Sequence, residues 1–563
     1  MQTIDFSKLP NFGKLFLDYI SEDEAARKKI DKYFSTGYRT NEDFFKVIDE
    51  KLHNYNSSRY FDKNVLIDIL KRQNVSFNGN EKSAMNIDLL RKDDTFAVVT
   101  GQQVGLYTGN FYTILKTIST IKLAEDIGNR FPQFHFIPVF WLEADDHDFD
   151  ESNHVNLINK NNELVRVGFE PQVEEKDETE SAEAGEYVKR STIPVGSMKF
   201  EALISEINDW LKEALIDTDF KQTLLEKINT YYSAGKDYKT SFALLMNWIF
   251  KEHGIVFIDP SDEEIKKLLT PIFEKELNTF PNVCEKVIHT SDELEHEYDL
   301  QVKPKVINLF FRHNENRYLI EPRENDMFAL RNSKKRFEKE ELYKILNEEP
   351  ERFSANVVLR PICQDYLLPT VAYVGGPSEI SYFAQFKNVY QHYDITMPVI
   401  YPRASVTILE SKIKKFLENF DIKFEEVFDK KKIINTVVNK LSEIKIDDEF
   451  SKYVDDFNRI FYEMKNTTAK VDKTLLNSID NIKDKFYSNL DNFRNKLINA
   501  QANKNETTTK QIDKVTNNLF PENNLQERVI NVTYFLNKYG DAFLKKLFDE
   551  IDINKFAHQV IEM

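Results

Sequence analysis

The residues equipped for chemistry concentrate in two segments, 100–150 and 360–403. The first opens on TGQQVGLYTG (100–109), where Gly101, Gly105 and Gly109 recur every four residues. They lie between an apolar β-branched run, 96–100, and a stretch of helical spacing, 112–127. Glycines at such a turn let backbone N–H groups approach an anion, and a helix N-terminus favours negative charge. A tight strand-to-helix turn without a ligand would need the same glycines. The pattern is neither G-x-G-x-x-G nor a phosphate loop, because no Gly-Lys-Ser/Thr follows. Lys116, one helical turn further on, would add a cation to the turn or sit at the surface.

The second cluster is EADDHD (143–148), followed by Asn153 and His154. A histidine among Asp145, Asp146 and Asp148 is expected to hold its pKa near or above neutrality, which suits acid/base work or anion binding. Aspartate and histidine also ligate Mg²⁺ or Zn²⁺, yet no H-x-x-x-H spacing occurs, so no permanent metal is expected. A capped acidic loop is the alternative. The third cluster runs RPICQDYLLPT (360–370) and AYVGGPSEISY (372–382), closing at PRAS (402–405). Glu379 and Tyr382 fall three apart on one helix face, offering a carboxylate to an amine and a phenol to a hydroxyl. The same glutamate could simply be the acidic first turn of a helix. Cys363 lacks a glycine elbow or a paired histidine and reads as a buried structural thiol.

These clusters need a scaffold. An apolar run at 96–100, a helix over 112–127 and a second apolar run at 135–142 make a βαβ unit. Both turns then fall at the carboxyl edge of a parallel sheet, where open α/β sheets place ligands. Residues 1–94 read as helices, and 159–352 as insertions and core elements, including a strand at 255–258 and a helix at 242–251. An acidic stretch at 174–186 reads as a solvated loop. Strand-like texture returns at 357–359 and 371–377, so 95–158 and 353–405 are expected to be two halves of one core. After 405, apolar positions between 454 and 500 recur in threes and fours. As one helix, 450–500 would reach about 75 Å. It must bury its seam on a helix from 406–441 or on another subunit. This places a helical arm at 406–520 and C-terminal helices at 521–563, with an amphipathic helix over 525–539 stopped by Gly540.

With 563 residues the chain is too long for one core. A net charge of −17 argues against nucleic acid as a partner. Two cysteines far apart in sequence exclude a disulfide framework. No apolar run of membrane-spanning length appears, so a cytoplasmic protein is expected, with no membrane partner.

The strings VVTGQQVGLYTGNFYTILKTIS, PVFWLEADDHDFDESNH, LRPICQDYLLPTVAYVGGPSEISYFAQ, MPVIYPRAS and LQERVINVTYFLNKYG resemble the bacillithiol-biosynthesis cysteine-adding enzymes, in order along nearly the whole chain. The resemblance implies an α/β Rossmann-like parallel-sheet core related to class I aminoacyl-tRNA synthetases, with connecting-peptide insertions. It also implies a coiled-coil domain that forms a homodimer, and a reaction joining cysteine to glucosaminyl-malate. Carried over by position, the expected site residues are Gly101, Gln102, Gln103, Gly105, Gly109, Asp146, His147, Asp148, Asn153, His154, Gln364, Asp365, Gly375, Gly376, Glu379, Tyr382 and Arg403. Of these, Asp146, His147 and Asp148 are expected to orient or deprotonate the sugar amine. Glu379 or Asp365 would pair with the cysteine ammonium, and Arg403 with a carboxylate. ATP with Mg²⁺ is the simplest activator of the cysteine carboxyl. The chain departs from the family pattern at Asn110, Asp145, Ser378 and Glu297, and carries no lysine-serine loop of the synthetase type. Two other readings remain: a nucleotidyl- or aminoacyl-transferring enzyme on this fold, and a non-catalytic coiled-coil partner of the true ligase.

Overall fold

The computed structural model describes residues 2–55, 61–170, 192–441, 445–504 and 506–563. The acidic stretch at 174–186 lies outside the described residues. By contacts the chain divides into two units. One comprises Met1–Lys160, Val165–Val406 and Glu527–Ile561, and the other is mainly Thr407–Gln526.

At the centre of the first unit is a five-stranded parallel sheet: β1 (Thr95–Gln103), β2 (His135–Glu143), β3 (Val256–Ile258), β4 (Thr370–Gly375) and β5 (Val399–Pro402). The spatial order is β5-β4-β1-β2-β3, with every neighbouring pair parallel. Strands covered on both faces are apolar along their length rather than alternating. Accordingly β1 is buried from Thr95 to Thr100, and β4 along all six residues. Helix α1 (Tyr112–Arg130) connects β1 to β2 and buries Ile114, Leu115, Ile118, Ile121 and Leu123. The strand order reverses between β1 and β4, and such a switch point leaves a crevice beyond the carboxyl ends of both strands.

β1 continues to Gln103, so Gly101 lies inside the strand rather than in the turn expected there. A Cβ at Gly101 would stand 2.9 Å from the Trp141 carbonyl oxygen, so the close strand approach requires glycine. The open edge of β3 is closed by two amide side chains. Asn74 exchanges hydrogen bonds with the Phe257 backbone, and Gln73 with that of Asp259. This is one way to blunt a sheet edge.

Between the core strands come helices such as Tyr238–Ile249 and a five-stranded antiparallel sheet built from residues 309–355. Residues 357–359 are not a strand. Asn356 Oδ1 accepts from the backbone N–H of Val358 and Leu359, and helix α2 (Arg360–Leu367) begins there. Proline near its start fits, since that N–H has no helical partner. Helix α3 (Pro377–Phe383) follows β4 directly. The expected helix over 525–539 is interrupted. Asn531 caps a new helix, Val532–Tyr539, by accepting from Thr533 N, and Gly540 ends it at φ +58.

The second unit holds α4 (Lys430–Leu441), α5 (Ile446–Val471), α6 (Leu476–Lys504) and α7 (Glu506–Leu519). The expected single 75 Å helix is therefore two helices of roughly 40 Å each. Asp472 leaves helical geometry (φ −156, ψ 114) and caps the turn Lys473–Leu475. α6 then returns along α5. Lys465 pairs with Asp480 at 2.6 Å, Tyr487 donates to Asn458 at 3.0 Å, and the Phe457 and Phe486 rings meet at 4.6 Å. Nearer the base, Val438 of α4 joins Ile446, Phe450 and Ile498 in one apolar cluster. A short break in a 3–4 repeat thus lets the helix fold back on itself and cover part of the seam: Phe461 and Ile479 are buried, while Met464, Leu475, Ile482, Phe493 and Leu497 stay exposed. Several apolar side chains stay open, among them Tyr462 (67% exposed) and Val471 (81%).

Candidate active site

A cavity of about 390 Å³ opens at the switch point. Gly101, Gln102 and Gln103 from β1, Trp141 and Glu143 from β2, and Tyr373 from β4 border it with the starts of α1, α2 and α3. Among the described residues no group of three or more His, Cys, Asp or Glu is arranged to hold a metal ion.

Its floor is a buried ion pair. Lys116 follows Tyr112 by one turn of α1, so both face the cavity. Lys116 Nζ lies 2.7 Å from Glu379 Oε2 and also donates to Gly101 O and Gln102 Oε1. Glu379 reaches back to accept from Gly376 N at 2.8 Å and from Tyr373 OH at 2.6 Å. Burial would raise the Glu379 pKa, but Lys116 and these donors outweigh it and hold the carboxyl below its usual range. A carboxylate with its oxygens so filled braces the turn. It is not free to receive a substrate ammonium, as had been expected of it.

One wall is cationic. Arg403 donates to Glu527 Oε1 at 2.6 Å and to Ala404 O at 2.8 Å, and both members of the pair are buried. Its guanidinium lies 5.7 Å from the Tyr112 ring centre. Arg528, adjacent in the chain to Glu527, also borders the cavity and makes no hydrogen bond or ion pair among the described residues. Partial burial and the neighbouring charge of Arg403 both weaken its hold on a proton. Two guanidinium groups side by side favour an anion between them. Carboxylates line the cavity too: Glu143 at the end of β2, Asp146 in the turn after it, and Glu151. Arg360 bridges the halves, with Nη1 3.0 Å from Glu143 Oε2 and Nη2 donating to Tyr382 OH at 3.3 Å.

Of the expected residues, Gly101, Gln102, Gln103, Asp146, Gln364, Gly376, Glu379, Tyr382 and Arg403 border this cavity, and the others do not. Gly105 packs against Gly109, whose φ of +69 serves a tight turn. That turn is tied by Asn531, which donates to Tyr107 O and Gly109 O, and by Phe111 N bonded to Ile530 O. The Tyr107 and Gly109 carbonyls and the Phe111 N–H are thus taken by protein groups, and neither glycine borders the cavity. Asp148 caps the short helix Phe149–Ser152. His147 is half-buried, and its pKa is lowered, by burial first and then by Arg317. This corrects the expectation that flanking aspartates would raise it. Asn153 is fully buried and accepts from Arg166, with His154 at its side chain. Asp365 turns away to Tyr390 OH (2.6 Å) and lies near buried Lys51. Gly375 lies one residue behind the cavity rim, and Asp145 pairs with Lys266. Cys363 is buried and its thiol pKa is pushed up by burial, as a structural thiol requires.

Sequence reasoning passed over Glu143, Glu151, Arg360 and Arg528 as site residues. Glu143 and Arg360 stood at the edges of the segments singled out, and the signal was their place at a strand end and a helix start. Arg528 lies in the C-terminal string LQERVINV, and nothing local marks it.

Comparison with known proteins gives two family matches. Residues 1–404 match the model described as bacillithiol biosynthesis BshC, N-terminal Rossmann-like domain, and 406–563 match the C-terminal coiled-coil domain of the same family. Among curated relatives, the "Putative cysteine ligase BshC" of Chloroherpeton thalassium is 35% identical over 563 aligned positions, covering 97% of this chain and 95% of the relative. The protein of that name from Prosthecochloris aestuarii is 33% identical (97% and 96% covered), and that from Chlorobaculum tepidum 31% (100% and 99%).

Proposed function

The chain belongs to the bacillithiol biosynthesis BshC family, a ligase family forming carbon–nitrogen bonds, and from that premise we propose that it joins the carboxyl of cysteine to the amine of glucosaminyl-malate, the last step towards bacillithiol. The observation that carries this reading is the two-signed lining of the cavity, the guanidinium groups of Arg403 and Arg528 together with the carboxylates of Glu143, Asp146 and Glu151. A sugar that bears both an ammonium and a dicarboxylate matches that division of charge. Arg528, unpaired beside Arg403, takes a malate carboxylate through the forked geometry that guanidinium offers. The carboxylates of Glu143, Asp146 and Glu151 are the groups that would receive an ammonium.

Amide formation from a free carboxylate is uphill in water, so the cysteine carboxyl must be activated, and ATP with Mg²⁺ is the simplest agent. Both are consumed or carried as substrate, and no residue is assigned to them. We also read the chain as a cytoplasmic homodimer. The apolar side chains left open along the arm, Tyr462, Met464, Val471 and Ile482 among them, support pairing with a second copy.

The test is direct. Purified protein with glucosaminyl-malate, cysteine and Mg-ATP should yield a species with the mass of both substrates less one water. Arg528→Ala should raise KM for glucosaminyl-malate roughly 10- to 100-fold, as expected for loss of about 1.5–3 kcal/mol from a charged hydrogen bond. Folded protein that makes no product refutes the reading and favours a non-catalytic partner.

A further inference from the structure

Trp141 and Glu143 are two apart on β2, so their side chains share one face of the sheet. Both border the cavity, and both are nearly closed to solvent, at 3% and 7% exposure. Each also holds a polar atom without a hydrogen bond among the described residues: Trp141 Nε1 and Glu143 Oε2. Buried donors and acceptors are almost always satisfied, so an exception in a cavity wall marks a place where a ligand completes the set. Arg360 lies 3.0 Å from Glu143 Oε2 as a charge partner, yet makes no aligned hydrogen bond to it. Glu143 Oε2 therefore keeps hydrogen-bonding capacity beyond that charge contact, on a residue that borders the cavity together with Asp146 and Glu151.

We propose that Glu143 receives the ammonium group of the amine substrate and takes one proton from it, delivering the neutral amine that forms the new carbon–nitrogen bond. The inference rests on the ligase reading above and adds the proton acceptor to it. The step balances by itself: R–NH₃⁺ and the Glu143 carboxylate become R–NH₂ and the carboxylic acid. Solvent recovers the proton after product leaves. Trp141 Nε1 donates to an oxygen of the same substrate. Four charged groups face Glu143: Arg360 on α2, Asp145 and Asp146 on the turn after β2, and Arg317 on the antiparallel sheet. Burial raises the Glu143 pKa, Arg360 and Arg317 oppose it, and the two aspartates add to it. The net rise suits an acceptor that must hold a proton transiently. Asp146 is half-exposed, and Glu379 is already filled, so neither offers a buried oxygen with hydrogen-bonding capacity left.

The experiment compares wild type with Glu143→Gln, which keeps the shape and loses the base. Product formation is followed from pH 6 to 9.5, with folding checked by circular dichroism. The expected result is a loss of kcat/KM of about 100-fold or more at neutral pH. The loss should shrink as pH rises, because more substrate amine then arrives unprotonated. Glu143→Asp should fall between the two and keep the wild-type pH profile. It also serves as the test variant should the glutamine protein fail to fold. A kcat/KM within threefold of wild type in Glu143→Gln, a loss there that stays constant with pH, or a pH profile of Glu143→Asp that departs from wild type overturns the assignment. Absence of product from wild type would instead refute the ligase reading. Binding then decides Glu143 alone: wild type should prefer glucosaminyl-malate over its N-acetylated form by calorimetry. Equal preference in wild type and Glu143→Gln overturns the role.

Discussion

Replacing Lys116 with methionine removes the cation but keeps the length of the side chain, and so isolates the buried pair beneath the cavity. In the native protein Lys116 Nζ satisfies Glu379 Oε2, Gly101 O and Gln102 Oε1, with 2% of its side chain exposed. Breaking a buried pair by deleting one partner costs about 3–5 kcal/mol. The unit that contains it has roughly 440 residues. At about 2.1 cal/mol/K per residue its unfolding entropy gives about 1 °C per kcal/mol, so Tm should fall about 3–5 °C at pH 7. The cost should also depend on pH. With Lys116 present, the depressed Glu379 pKa contributes stability above its unfolded value that is lost on acidification. Without Lys116, burial dominates and raises that pKa. The variant then keeps its stability at low pH and loses it as pH rises through the new value. The gap between the two proteins should therefore close on going from pH 8 to pH 5. Glu379→Gln added to Lys116→Met should recover more than half the loss. Scanning calorimetry across pH reads all of this. An unchanged Tm in the single variant, or no recovery in the double, would refute the reasoning.

Asp148→Ala removes a helix cap outside the cavity, so it should cost about 1 kcal/mol of stability and leave kcat/KM within threefold of wild type by steady-state assay. His558 is fully buried beside Ser405 Oγ at 2.8 Å, and burial lowers its pKa to about 4. A histidine depressed in the folded state contributes stability above its unfolded value near 6.5. That contribution is lost as pH falls to about 4, and is worth about 3 kcal/mol in all. His558→Gln should flatten the acid limb of the denaturation profile between pH 6.5 and 4. On the homodimer reading, the wild type should scatter light as a dimer and Tyr462→Glu combined with Ile482→Lys as a monomer, while far-ultraviolet dichroism stays constant.

The parallel core was legible because β1 and β2 are buried on both faces and read as unbroken apolar runs. The arm was legible as helix but not as hairpin. The 3–4 repeat passes through 468, 471, 475 and 479 almost undisturbed, and only the backbone of Asp472 shows the break. That Gly105 and Gly109 lie off the cavity was not legible, since a tight turn and a turn that binds an anion share residue types. Asp148 and Glu379 were legible as polar residues near the sheet edge. Their occupation by a helix cap and by Lys116 depends on distances that no spacing rule supplies. Arg528 was not legible as a cavity residue, because the partner of Arg403 arrives 124 positions later in the chain.

That delay shapes how the protein is made. Val406 N bonds to Glu527 Oε2 at 2.8 Å, so the chain leaves the core and re-enters it at one point. The arm is a parenthesis of roughly 120 residues in a sentence that the ribosome must finish before the sense is complete. At about 5–20 residues per second, Arg403 is synthesised some 6–24 s before its carboxylate exists. Throughout that interval the cavity wall stands half-built, with a guanidinium destined for burial and no counter-charge. An early stop anywhere in the arm would leave the same unfinished core behind for good.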